Sequence, residues 1–189
     1  MPRNVNKDDV YGGRKVRRRS SATKVGLGDY LRLNADSGIR SLLSQYGESD
    51  ILFADEVLKI NRKHKSQLRR LMITDGAVYN MDQSLKVKRR IPLDHVTGVS
   101  VSSLDDNTFI LHVRGEHDYL MVSSRKSEVC VCICQGYGRL TGGVLPVSVT
   151  NSITCRLKRA PGDRDSHPTS AHQIAFTQVD NGVLIHIHE

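Results

Sequence analysis

Apolar residues recur along this chain with two different periods, and the change of period divides it into elements. Over GDYLRLNADSGIRSLLSQYG, Ile39, Leu42, Leu43 and Tyr46 fall at the three- and four-residue intervals of one helix face. Asp36 or Ser37 can accept from the first free backbone N–H groups, and Gly47 suits the left-handed residue that ends a helix. A short helix packed on a core is expected. From ILFADEVLKI the period shortens to two, with Ile51 and Phe53 and then, after a break, Val57 and Leu58. The return segment RLMITDGAVYNMD is broken by a turn at Asp75-Gly76. KVKRRIPL, HVTGVSVSSL, NTFILHVRG and DYLMVSS follow as short segments separated by turn residues, the pattern of consecutive antiparallel hairpins.

The helical period returns in SEVCVCICQGYGRLTG, where Val129, Cys130, Ile133, Cys134, Tyr137 and Leu140 mark one face in spite of β-branched neighbours. Three more strands are expected in VLPVSVTNSITCRLKRAP, HQIAFTQV and GVLIHIHE, with PGDRDSHPTS as a mobile loop between the first two. Residues 1–13, polar and Gly-ended, are expected to be loosely ordered. This order describes an α+β domain, a curved antiparallel sheet plugged by a helix.

Composition narrows the function without choosing it. The 189 residues allow one core, or one core with an appended subdomain, and 38% hydrophobic with 25% charged residues suits a water-soluble domain. A net charge of +8 points to an anionic partner: nucleic acid, an acidic protein surface or an anionic bilayer. No apolar run approaches a membrane span, and MPRNVNKDDVYGG lacks a signal-peptide core, so any membrane association is expected to be peripheral and cytosolic. Cys130, Cys132, Cys134 and Cys155 fit neither a disulfide framework nor paired zinc knuckles, and no metal or other cofactor is expected. His186 and His188 share a strand face that reads as solvent-facing, and Asp105-Asp106 reads as a tight turn. No phosphate loop, dinucleotide fingerprint, HExxH or GxSxG motif occurs, so no enzyme is expected.

The candidate chemistry is cationic. Arg14, Lys15, Arg17, Arg18 and Arg19 form an N-terminal cluster that reads as an electrostatic tether or an import signal. Ser20 and Ser21 directly after it suit a basic-directed kinase, whose phosphate would offset the charge. Lys59, Arg62, Lys63, Lys65, Arg69 and Arg70 surround a hairpin loop, and Lys86, Lys88, Arg89 and Arg90 precede Ile91-Pro92-Leu93. Each cluster alone reads as a solvated face. If the strands pair in sequence order, however, the last two clusters lie at the same end of the sheet. Alternation turns Arg69 with Leu71 one way and Arg70 with Met72 the other. With Leu71 and Ile73 inward, Arg69 stands at the mouth of the core, where a phosphorylated headgroup would meet it and Lys59.

Taken as an ordered series, GRKVRRRSS, GDYLRL, ILFADEVLKINRKHK, LRRLMITDGAVYNMD, KVKRRIPLDHVTGVSVSSLDDNTFILHV and LPVSVTNSITCRL resemble the tail homology 1 domain of class I myosins, from about Arg14 to the C-terminus. The resemblance implies a pleckstrin-homology-like core over about residues 50–142, a partly open barrel, with an N-terminal helical extension and further strands over 143–189. It implies binding of phosphoinositides and other anionic phospholipids at the cytosolic leaflet, at the cell cortex or on endomembranes. Lys59 and Arg69 match the family's lipid signature, with Arg70 as the alternative to Arg69 if the loop is one residue shorter. The family's motor head, with its ATPase and actin contacts, and its helices for calmodulin-type light chains have no counterpart here; the chain reads as a tail fragment, a truncated product or a free-standing relative. The rival readings are a nucleic-acid-binding domain, disfavoured by 5% aromatic residues and no Trp, and a protein-interaction adaptor, which the same fold can support.

Overall fold

The computed structural model describes residues 10–11, 28–61, 64–158, 169–180 and 182–188. The first strand, β1 (Val10–Tyr11), is followed by helix α1 (Ser37–Tyr46) and by β2 (Ile51–Ile60), β3 (Ser66–Thr74), β4 (Ala77–Met81) and β5 (Val87–Pro92). After a short 3-10 turn come β6 (Val96–Val101), β7 (Thr108–Val113), β8 (Tyr119–Val122) and the long helix α2 (Lys126–Thr141). Four strands close the chain: β9 (Val147–Val149), β10 (Ser152–Lys158), β11 (Thr169–Val179) and β12 (Gly182–His188).

The main sheet runs β5-β4-β3-β2-β8-β7-β6-β9 and is not closed, since β5 and β9 are its edges. Its pairings are antiparallel except β6 with β9. The architecture is pleckstrin-like: one curved sheet plugged by one helix, with strands added behind. Its inner face holds Phe53, Val57, Leu71, Ile73, Val78, Ile91, Phe109 and Met121, and α2 covers them with Val129, Cys132 and Ile133. At about 25 cal/mol per Å² of apolar surface removed from water, these large side chains dominate the stability.

The outer face is buried too, which alternation alone did not require. Behind β2–β4, Ala54, Met72, Ala77, Tyr79 and Met81 pack against Leu33, Ile39 and Leu43. Those last residues belong to α1 and the turn before it. The helix begins and ends as its sequence suggests: Asp36 Oδ1 accepts from Ile39 N at 2.9 Å, and Gly47 takes the left-handed conformation. Behind β2, β7 and β8, Ile60, Ile110 and Leu120 meet Ile153, Cys155, Leu157, Ile174, Phe176, Val183, Ile185 and Ile187. The C-terminal strands thus form a second sheet, ordered β1-β12-β11-β10, stacked on the first. His186 and His188 stack ring on ring, centroids 5.9 Å apart, on the part of β12 that pairs with β11 beyond the two residues matched to β1.

Several expectations change. Val10–Tyr11 pair with Val183–Leu184, so this part of the N-terminus is a strand and not loose. The face of α2 is rotated: Cys132 and Gly136 are buried, Cys130, Cys134 and Tyr137 only partly so, and Leu140 is exposed. Asp106 does shape a turn, accepting from Thr108 N at 2.6 Å, but it is 1% exposed and pairs with the buried Lys126 at 3.3 Å. β9, although beyond residue 143, belongs to the main sheet; we propose that the C-terminal subdomain starts at β10. The segment PGDRDSHPTS lies outside the described residues.

Candidate functional site

Two matching turns build the site. In the β2–β3 turn, Asn61 N donates to Lys65 O at 3.0 Å and His64 N to Asn61 O at 2.9 Å. In the β4–β5 turn, Asp82 N donates to Lys86 O at 3.0 Å and Leu85 N to Asp82 O at 3.1 Å. In each, the opening Asn or Asp also accepts from the fifth residue's backbone N–H at 3.1 Å. The fourth residue, His64 or Leu85, takes a positive φ of 54° or 65°. Side-chain carboxamide and carboxylate thus replace backbone partners where each turn opens and closes. Lys59 and Ser66–Arg70 lie within strands, not in the loop itself.

Register then decides which cations meet. Lys59 is opposite Gln67, and Val57 is opposite Arg69. Val57 belongs to the inner core, so Lys59, Gln67 and Arg69 share the inner face just beyond the apolar residues. Arg69 Nη2 donates to Gln67 Oε1 at 2.8 Å, while Lys59 Nζ sits 4.5 Å from the centroid of the Tyr119 ring. From β5, Arg89 extends the row: its Nε and Nη2 donate to Glu116 in the β7–β8 turn at 3.1 and 3.0 Å. Tyr119 Oη donates to the same carboxylate at 3.2 Å, and burial, with Glu116 beside it, pushes that phenol's pKa well up. The β2–β3, β4–β5 and β7–β8 turns therefore frame one mouth lined by Lys59, Arg69 and Arg89.

The other candidates divide. Arg70 lies on the opposite face, 4.0 Å from Glu56. Lys88 is paired with Asp82 at 2.7 Å, and Lys65 and Lys86 are exposed on the two turns. Arg90 leaves the cationic set. It faces α1, lies 4.3 Å over the Tyr46 ring and donates to Glu48 at 2.5 and 3.0 Å. Arg62 and Lys63 lie outside the described residues, as do the tether Arg14, Lys15, Arg17, Arg18 and Arg19 and the serines Ser20 and Ser21. Sequence reasoning missed Glu116 and Tyr119, which carry no basic signature, and Asn80, opposite Arg89 on β4. Asn80 is 3% exposed, and its Oδ1 has no hydrogen-bond partner among the described residues.

The chain matches, over residues 17–188, the family described as "Unconventional myosin tail, actin- and lipid-binding". It belongs to that family. This tail domain is 28% identical over 158 residues to the Myosin IB heavy chain of Dictyostelium discoideum, covering 79% of this chain and 14% of that one. It is 35% identical over 128 residues to human Unconventional myosin-Ig, covering 61% of this chain and 12% of that one. The tail domain therefore spans roughly a seventh of the length of these class I relatives, 12–14%. Among solved structures, the PH domain of human oxysterol binding protein-related protein 11 aligns with 65% of this chain and 94% of its own, at 15% identity and a TM-score of 0.40. Among the described residues, no helix is long and apolar enough to cross a membrane.

One further cluster has the look of chemistry. Ser100 Oγ is 2.7 Å from His112 Nε2, and His112 Nδ1 is 3.1 Å from Asp118, the order of a nucleophile relay. Ser100 is 5% exposed, so an acyl substrate has no approach to its Oγ. Its role is structural: Asp118 also receives Arg156 N at 2.8 Å and Arg156 Nη2 at 3.2 Å, tying the main sheet to β10.

Proposed function

We propose that this tail domain is a non-enzymatic, peripheral membrane-binding module that takes a phosphoinositide headgroup into the mouth lined by Lys59 and Arg69. The observation that carries this reading is the shared inner face of those two side chains, one strand apart, at the open end of the core. Arg69 offers a planar fork for two phosphate oxygens and Lys59 a point charge. Lys65 and Lys86 on the surrounding turns add general attraction to an anionic leaflet, about 1 kcal/mol per residue near the surface. Such binding is reversible and salt-sensitive. Within a longer class I myosin chain, this module would link an actin-based motor to the cytosolic face of the plasma membrane or of endomembranes.

Vesicle co-sedimentation tests the reading. Lys59→Ala or Arg69→Ala is expected to weaken binding to phosphoinositide vesicles about tenfold, the value of one lost charged hydrogen bond. Phosphatidylserine vesicles of matched charge should lose no more than about fivefold, the share of one surface charge. Arg70→Ala should affect both alike. Equal losses on both vesicle types for Lys59 and Arg69 would leave a charge effect with no pocket.

A further inference from the structure

Within the cationic mouth stands a carboxylate. Glu116 accepts from Arg89 Nε at 3.1 and 3.3 Å and from Nη2 at 3.0 Å, a fork-on-fork contact of the kind a phosphate offers. It also accepts from Tyr119 Oη at 3.2 Å, and Lys59 lies over that same ring. The Glu116 side chain is 18% exposed and that of Arg89 is 50% exposed, so the acceptor is tucked in while the cation remains reachable from solvent.

We propose that Glu116 is a built-in stand-in for the headgroup phosphate and holds down the affinity of the mouth for headgroups that take Arg89. It holds Arg89 at 3.0 Å. To take Arg89, an incoming group must draw it away from a carboxylate already in place. A phosphomonoester carries nearly two charges and three acceptor oxygens and can do so. A phosphodiester or carboxylate headgroup, with one charge per group, gains too little. The cost falls in full on the headgroup that takes Arg89, whereas one that leaves Arg89 in place avoids it, so the carboxylate is an intramolecular competitor that lowers affinity for the phosphomonoester most. This inference rests on the proposed headgroup mouth and names what holds its cation before the lipid arrives.

The test compares vesicles carrying phosphatidylinositol 4,5-bisphosphate with phosphatidylserine vesicles of matched charge. Glu116→Gln keeps the side chain's shape and is expected to raise phosphatidylinositol 4,5-bisphosphate binding by about tenfold, the value of one charged contact, and phosphatidylserine binding by less, so that the ratio between them rises. Arg89→Ala added to Glu116→Gln should abolish that gain. Glu56→Gln removes the same charge on the opposite face, beside Arg70, and should leave the selectivity ratio unchanged. Glu116→Asp keeps the charge, shortens the reach to Arg89, and should follow Glu116→Gln. Soluble inositol 1,4,5-trisphosphate, read by calorimetry, separates headgroup from bilayer, and Glu116→Gln should tighten it too. An unchanged ratio in Glu116→Gln, the same shift in Glu56→Gln, a gain confined to vesicles, or weaker binding to every lipid would each overturn the proposal. Lys59→Ala and Arg69→Ala in the same panel report on the mouth itself: equal losses there sink the headgroup reading, whereas the Glu116–Arg89 comparison decides the competition.

Discussion

Glu48 shows how one buried side chain fixes a corner of the fold. It is 7% exposed and accepts from Thr74 Oγ1 at 2.7 Å, from Tyr79 Oη at 2.9 and 3.0 Å, and from Arg90. Burial, together with Glu48 beside it, pushes the Tyr79 phenol well above its ordinary pKa, so it remains a donor at any ordinary pH. Glu48→Ala strands the Arg90 guanidinium and two hydroxyl donors at once, and is expected to cost about 3–5 kcal/mol, read from urea denaturation. A loss below about 1 kcal/mol would mean that water replaces the carboxylate at no cost. The residue is invisible in the sequence because its partners lie 26, 31 and 42 positions away. For the same reason Arg90 reads there as a surface cation.

Elements were more legible than their packing. The two periods place both α-helices and the hairpin strands, since a strand or helix half in water must alternate. The face of α2 escaped because glycine carries no apolar signal. A Cβ at Gly136 would lie 2.8 Å from Leu93 Cδ1 and 3.1 Å from Leu52 Cδ1, so the helix approaches the sheet through a residue that periodicity ignores. Gly136→Val is expected to lower stability by about 1–3 kcal/mol by overpacking, in spite of the better helix propensity. A thermal midpoint at or above the parent's would show that α2 can shift outward freely. Alternation also fails on β4, where all five residues are buried between the inner core and α1. At the mouth, the pairing of Lys59 with Arg69 was readable from register, whereas Glu116 comes from a turn nearly fifty residues farther on.

On the scale of the whole molecule, two sheets are held together by an apolar seam and by Asp118. Sequence offered three late strands but no means of deciding whether they would extend the first sheet or stack on it. Burial alone would raise the Asp118 pKa, but the bonds from His112 and Arg156 outweigh it and hold the carboxyl below its ordinary range. The ionised form is thus favoured by folding. Its contribution is complete above the unfolded carboxyl value, about 3.9, and is lost as pH falls through the lower folded value. Asp118→Asn should therefore lower stability at neutral pH and flatten the acid limb of a denaturation profile; an acid limb identical to the parent's would remove Asp118 from this role. The same carboxylate has a second reach. It receives Val113 N at 3.2 Å across the turn that carries Glu116, and its other oxygen receives the backbone of β10. One wall of the mouth is thus hinged on the second sheet, so the stiffness of residues 114–118 becomes a property of strands that lie outside the proposed site. In Asp118→Asn, amide exchange in that turn should quicken even where the core holds.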